Sequence, residues 1–123
     1  MAALRVTLTE VLTDAAFDRM LPLGERWADG VAAVLAEHHV PWHVTRLGCR
    51  AEYGFAPGPP RTGADAAGSD DFALQRYLHL HALNRGLLLT PFHNMALVCP
   101  ATTEADIDRH SRAFADCVAE LFG

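Results

Sequence analysis

Arg50 opens an alternating segment, 50–55, directly after Gly48-Cys49 and among apolar neighbours. A guanidinium in that setting offers a rigid fork that suits a carboxylate. It would serve equally well in a surface ion pair. A second candidate is Phe92-His93-Asn94-Met95, a polar pair flanked by apolar residues between two apolar runs, which could line a pocket or form an ordinary connection. Arg50, Phe92, His93, Asn94 and Met95 are therefore the candidate substrate-facing residues. Seven His are present, but their spacing does not predict a metal site. His38-His39 are adjacent and diverge by about 100° on a helix, and His79 and His81 diverge as well. No H-E-x-x-H occurs, and no two His stand three or four apart on one helix. Cys49, Cys99 and Cys117 are odd in number and contain no C-x-x-C, so they read as buried reduced thiols. Neither G-x-S-x-G nor G-x-x-x-x-G-K appears. No catalytic or cofactor-binding residue is predicted from the motifs.

One residue type is missing. All ten cationic side chains are Arg, and the chain contains no Lys. The Lys amine is the group that condenses with carbonyl compounds, so Schiff-base chemistry would need an amine from elsewhere. The formal charge of −5 argues against nucleic acid or an anionic membrane as partner. The start of the chain does not read as a signal peptide, and no run of 18 apolar residues is present. A cytoplasmic location is expected. At 123 residues the chain reads as a single domain, 1–123, able to bury a core without staples.

The elements that would position these groups follow from periodicity. Leu4, Leu8, Val11 and Leu12 give 3–13 a helical stripe, with a strand reading open for its first turn. A longer helix is expected from about Ala15 to Glu37, capped by Asp14 and kinked or restarted at Pro22. Segments 42–46 and 50–55 alternate, with Ala51, Tyr53 and Phe55 on one face, and pair as antiparallel strands around Leu47-Gly48. Residues 56–70 are rich in Pro, Gly, Ala and Asp and read as an exposed loop. Ser69 or Asp70 caps a helix over 71–85, with Leu74, Tyr77, Leu78 and His81 on its stripe and Gly86 closing its end. His81 there reads as a hydrogen-bonded packing residue. Residues 87–89 and 96–99 read as short buried strands, with a turn at Pro91, lying centrally in the sheet. Thr103 with Asp106 forms a capping box for a last helix, whose apolar face is Ile107, Phe114, Val118 and Leu121. The fold class is α+β: a two-layer sandwich of a small, mostly antiparallel sheet of about four strands, with helices on one face.

These segments also resemble a known family. Residues 23–35 are similar to the helix that opens the small C-terminal domain of class III aminotransferases. Thr45-Arg46-Leu47-Gly48-Cys49 resembles that family's strand turn. Arg61-Thr62-Gly63-Ala64, Asn84-Arg85-Gly86 and Leu89-Thr90-Pro91-Phe92 resemble its glutamate-1-semialdehyde aminomutase branch. Thr103-Glu104-Ala105-Asp106-Ile107-Asp108 is similar to the family's T-E-x-D-I-D helix start. The resemblance implies a fold type I, pyridoxal-phosphate-dependent enzyme, commonly a dimer. Its large domain holds the cofactor and the Schiff-base Lys, and its C-terminal domain closes over an amino-acid or amino-ketone substrate. The family's carboxylate-binding Arg on the penultimate strand is not seen at 94–98, as in the aminomutase branch.

The resemblance thus implies a C-terminal domain that is not catalytic alone, binds no cofactor by itself and has the missing large domain as partner. Two other classes stay open. One is a non-catalytic interaction module that reuses the fold, with an exposed apolar face and a possible homodimer. The other is a small stand-alone enzyme, which a cleft gathering Arg50, His93 and Asn94 would favour.

Overall fold

The computed structural model describes residues 1–90 and 93–123. The first helical segment comprises α1 (Ala2–Val6) and a π-type turn over Thr7–Val11. Most of its expected apolar stripe is uncovered: Leu4, Leu8 and Val11 are exposed, while Leu12 is half-buried against the core. Helix α2 spans Asp14–Glu37. Its cap is Thr13 rather than Asp14, because the Thr13 hydroxyl accepts from the Ala16 N–H while Asp14 lies in the first turn. The helix runs on through Pro22, which replaces the expected restart. Its buried face is Ala16, Met20, Trp27, Val31, Val34 and Leu35, a 3.6-residue stripe.

Two antiparallel strands follow, β1 (His43–Leu47) and β2 (Arg50–Gly54), with Leu47 opposite Arg50. A two-residue hairpin needs a left-handed residue at its first central position, and Gly48 supplies it with φ +60°. Helix α2 comes close to this turn. A Cβ on Gly24 would lie 2.9 Å from the Gly48 carbonyl oxygen, so only glycine lets the helix dock there.

The expected loop over 56–70 is corrected in its second half. Residues Gly63–Ser69 form α3, started by a capping box between Thr62 and Asp65 that outweighs the poor helix propensity of the glycines. Helix α4 spans Phe72–Leu83 and is capped by Asp71, one residue beyond the expected Ser69 or Asp70. Its end is closed as expected at Gly86 (φ +76°), through bonds from the Gly86 N–H to the Leu83 carbonyl and the Leu87 N–H to the Ala82 carbonyl. Helix α5 spans Glu104–Phe122, and its Thr103–Asp106 capping box has both reciprocal bonds.

The sheet is three-stranded among the described residues, in the order β1-β2-β3, with β3 at Met95–Leu97. This corrects the expected fourth strand over 87–89 and the central placement of the late strands. Segment 87–90 forms no strand: its Leu87 N–H donates back to the Ala82 carbonyl and its Thr90 N–H to the Met95 carbonyl. Strand β3 lies at an edge and buries only Ala96. The expected turn at Pro91 lies outside the described residues.

Helices α2, α4 and α5 form the second layer, on the face of the sheet that carries Ala51 and Tyr53. An aromatic chain fills the space between the layers. Tyr53 stands 6.2 Å from Trp27, 6.1 Å from Trp42 and 4.9 Å from Phe114. Trp42 continues it to Phe55 and Phe122. Such pairs add about 0.5–1.5 kcal/mol each beyond area burial. On the surface, Arg26 of α2 donates twice to one Asp108 carboxylate oxygen of α5, at 2.9 and 2.8 Å.

Candidate functional site

Two clefts lie beside β2 and β3, and they differ in chemistry. The polar one, about 290 Å³, sits on the sheet face opposite the core. Alternation along β2 sends Arg50 and Glu52 to this face while Ala51 and Tyr53 go to the core. His43 and Thr45 join them from β1, and Gln75 from α4 forms part of the far wall.

Arg50, His93 and Asn94 all line this polar cleft. The Arg50 guanidinium, half exposed, donates to a Glu52 carboxylate oxygen at 2.9 Å. His93 Nδ1 approaches the other Glu52 oxygen at 3.4 Å. Glu52 therefore sits between two basic side chains, and a carboxylate entering the cleft would compete with it for Arg50. Asn94 is only 7% exposed. Its carbonyl accepts from the Tyr53 N–H at 3.2 Å, which anchors the segment before β3 to β2. His43 Nδ1 is held by the Ala56 carbonyl at 2.7 Å.

Met95 is not part of this group. It lines the second cleft, about 410 Å³ and largely apolar, between 87–90 and β3. Phe92 lies outside the described residues. Three of the five sequence candidates thus meet in one cleft. Reasoning from the sequence missed Glu52, whose strand position two residues after Arg50 puts both charges on one face.

The strongest displacements of pKa fall in the core. Burial pushes the His110 imidazole down to about 4, so the ring is neutral at pH 7. Its Nδ1 has no hydrogen-bond partner among the described residues, and the ring packs 4.9 Å from Trp27. Burial also pushes the Cys117 thiol up to about 11 and raises the Tyr53 phenol. The three thiols are free, but only Cys117 is buried; Cys49 is half-buried and Cys99 exposed, which corrects the expectation that all are buried. A hydrogen bond from the Thr102 hydroxyl lowers its pKa. His81 is buried and stands 3.4 Å from Glu120, in keeping with a packing role. No group of three or more His, Cys, Asp or Glu suited to a metal ion occurs among the described residues.

No family model matches the chain. It is 34% identical over 99 residues to glutamate-1-semialdehyde 2,1-aminomutase 2 of Halalkalibacterium halodurans, covering 79% of this chain and 23% of that protein. It is 31% identical over 120 residues to the glutamate-1-semialdehyde 2,1-aminomutase of Thermus thermophilus, covering 96% of this chain and 28% of that protein. A solved glutamate-1-semialdehyde aminomutase from Pseudomonas aeruginosa PAO1 matches at 48% identity with a TM-score of 0.95, over 98% of this chain and 26% of its own. The chain is a class III aminotransferase relative, matching the C-terminal part of those enzymes.

The likeness extends beyond the aminomutases. A β-phenylalanine aminotransferase from Variovorax paradoxus matches at 27% identity with a TM-score of 0.81. The chain spans about a quarter of the length of the relatives it matches. One P. aeruginosa structure is a complex with PMP. This chain carries no Lys, so it supplies no amine for a Schiff base with a pyridoxal form of the cofactor.

Proposed function

We propose that this chain serves as the substrate-covering C-terminal domain of a pyridoxal-phosphate-dependent class III aminotransferase or aminomutase and is inactive alone. The observation that carries this reading is the match at 48% identity and TM-score 0.95 to the P. aeruginosa aminomutase, in a chain without Lys. In this reading the cofactor and its Lys belong to a large domain, which is the chain's principal partner. The substrate is an amino acid or amino ketone, the assembly a dimer and the location cytoplasmic. Among the described residues, no helix is long and apolar enough to cross a membrane.

The contribution of this chain is to bind and to exclude water. The polar cleft offers Arg50 and His93, held by Glu52, together with the buried Asn94. When the cleft faces substrate, Arg50 exchanges Glu52 for a substrate carboxylate, and Asn94 and His93 orient polar groups beside it.

A chimera tests the reading. This chain replaces the matching quarter of the P. aeruginosa aminomutase, and amine transfer is measured with added pyridoxal phosphate. The chimera should turn over while the 123-residue chain alone does not. Turnover by the chain alone would sink the proposal and favour the stand-alone enzyme, for which the meeting of Arg50, His93 and Asn94 in one cleft is the supporting observation. An Arg50→Met chimera with an unchanged Michaelis constant for the amino donor would remove Arg50 from the substrate's surroundings.

A further inference from the structure

The apolar cleft is a gap between segment 87–90 and β3, which one hydrogen bond joins at one end. At one end the Thr90 N–H donates to the Met95 carbonyl at 3.3 Å. Continuing that antiparallel register by two residues would place Leu88 opposite Leu97. No bond joins them among the described residues. Both side chains stand out in solvent, Leu88 at 78% and Leu97 at 62% exposure.

The sheet register says which backbone groups face the gap. The Val98 N–H donates to the Cys49 carbonyl and the Tyr53 N–H to the Asn94 carbonyl. In an antiparallel ladder the bonded residues alternate. Asn94, Ala96 and Val98 therefore bond toward β2, while Met95 and Leu97 present their N–H and C=O groups to the outer edge. The Met95 carbonyl is taken by Thr90, whereas those of Leu97 have no partner among the described residues. Unpaired edge groups beside an apolar floor are the arrangement that accepts an added strand. The floor is Trp27, Ile107, Val98 and His110.

We propose that this cleft is a slot for one extended, apolar segment of the large domain, which inserts between 87–90 and β3 and completes the sheet. The inference rests on the domain reading given above. Strand spacings of about 3.3, 4.8 and 10 Å give each residue roughly 160 Å³. A cleft of about 410 Å³ thus holds two to three residues of a strand. A second copy of this chain fits less well. Each copy carries its own 87–90 wall beside β3, and two such walls keep the edges from approaching to about 4.8 Å. The relatives have the material to fill the slot, since roughly three quarters of the P. aeruginosa chain lies outside the match.

Amide hydrogen exchange on the chimera and on the isolated chain tests the slot. The Leu97 amide should be protected at least tenfold more in the chimera. Leu97→Pro removes the edge-facing donor while sparing the bonds to β2. In the chimera it should accelerate exchange at Leu88 at least tenfold, whereas Leu47→Lys, on the far edge, should not. An active chimera whose Leu97 amide exchanges as in the isolated chain overturns the slot and leaves the domain reading standing. A chimera that folds but neither turns over nor protects Leu97 overturns both. Protection of Leu97 in the isolated chain, rising with its concentration and matched by dimer in sedimentation, overturns the slot in favour of a second copy.

Discussion

Acid should unfold this domain through one histidine. His110 is 5% exposed, packs at a tilt against Trp27 and stacks on Phe114, and has no hydrogen-bond partner for Nδ1 among the described residues. Burial holds its pKa at about 4, against an ordinary 6.5. The folded value lies below the unfolded one, so the stability it allows is complete above pH 6.5 and is lost as pH falls toward 4. Proton linkage gives a loss of about 2 kcal/mol between pH 7 and pH 5, and roughly 3 kcal/mol by pH 4. Asp106 and His81 line the clefts that His110 lines, so they must be separated from it. Asp106 is held below its ordinary 3.8 by the Thr103 hydroxyl and titrates outside the window from pH 5 to 7. His81 is common to parent and variant and cancels in their difference. Urea unfolding at pH 7, 6 and 5, for the parent and for His110→Phe, is the assay. The variant keeps an aromatic ring against Trp27 and should lose about 2 kcal/mol less than the parent between pH 7 and 5. Equal losses in the two proteins would refute the assignment.

Three other outcomes follow from local geometry. Gly24→Ala puts a methyl 2.9 Å from the Gly48 carbonyl oxygen, so helix and hairpin must separate. It should cost about 1–3 kcal/mol in denaturant unfolding, as overpacking does, and a neutral result would mean that the helix shifts freely. Thr103→Ala removes the α5 capping box and should cost about 1 kcal/mol by thermal or urea melt, with Asp106→Asn costing less because its amide oxygen still accepts. The Tyr77 phenol donates to Glu120 at 2.8 Å, and that bond raises its pKa. Glu120→Gln should bring the Tyr77 titration, followed by ultraviolet absorbance, back down toward 10.0, while Tyr53 stays raised by burial.

How much of this was legible in the sequence depends on whether the signal is local. The caps at Thr103 and Gly86, the hairpin at Leu47–Arg50 and the buried face of β2 are written within a few residues, and they hold. Helix α3 was legible too, in Thr62 and Asp65, but a composition rich in Gly and Pro hid it. The failures are those where pairing partners decide. Leu87-Leu88-Leu89 has the residues of a buried strand, yet a strand needs a neighbour at about 4.8 Å, and the neighbour is not given by the run itself. The stripe of Leu4, Leu8 and Val11 is helical as read, but periodicity says which face is apolar and not what covers it.

The candidate site shows the same division. Arg50 could be singled out from its apolar surroundings, and His93 and Asn94 from their place between two runs. Their meeting depends on β3 lying beside β2 with Glu52 opposite Met95, a register that no local pattern encodes. That register also shapes the chemistry on offer. Glu52 neutralises Arg50 and so sets a threshold that any incoming carboxylate must exceed. Glu52→Gln would remove that competition while keeping a hydrogen-bond acceptor for the guanidinium. In the chimera it should tighten the binding of a carboxylate-bearing amino donor if Arg50 faces substrate. If Arg50 and Glu52 form only a structural pair, the same change should leave the Michaelis constant alone and lower stability by at most about 1 kcal/mol, as expected of an exposed ion pair. The two readings of Arg50 thus separate on one substitution, measured once by kinetics and once by unfolding.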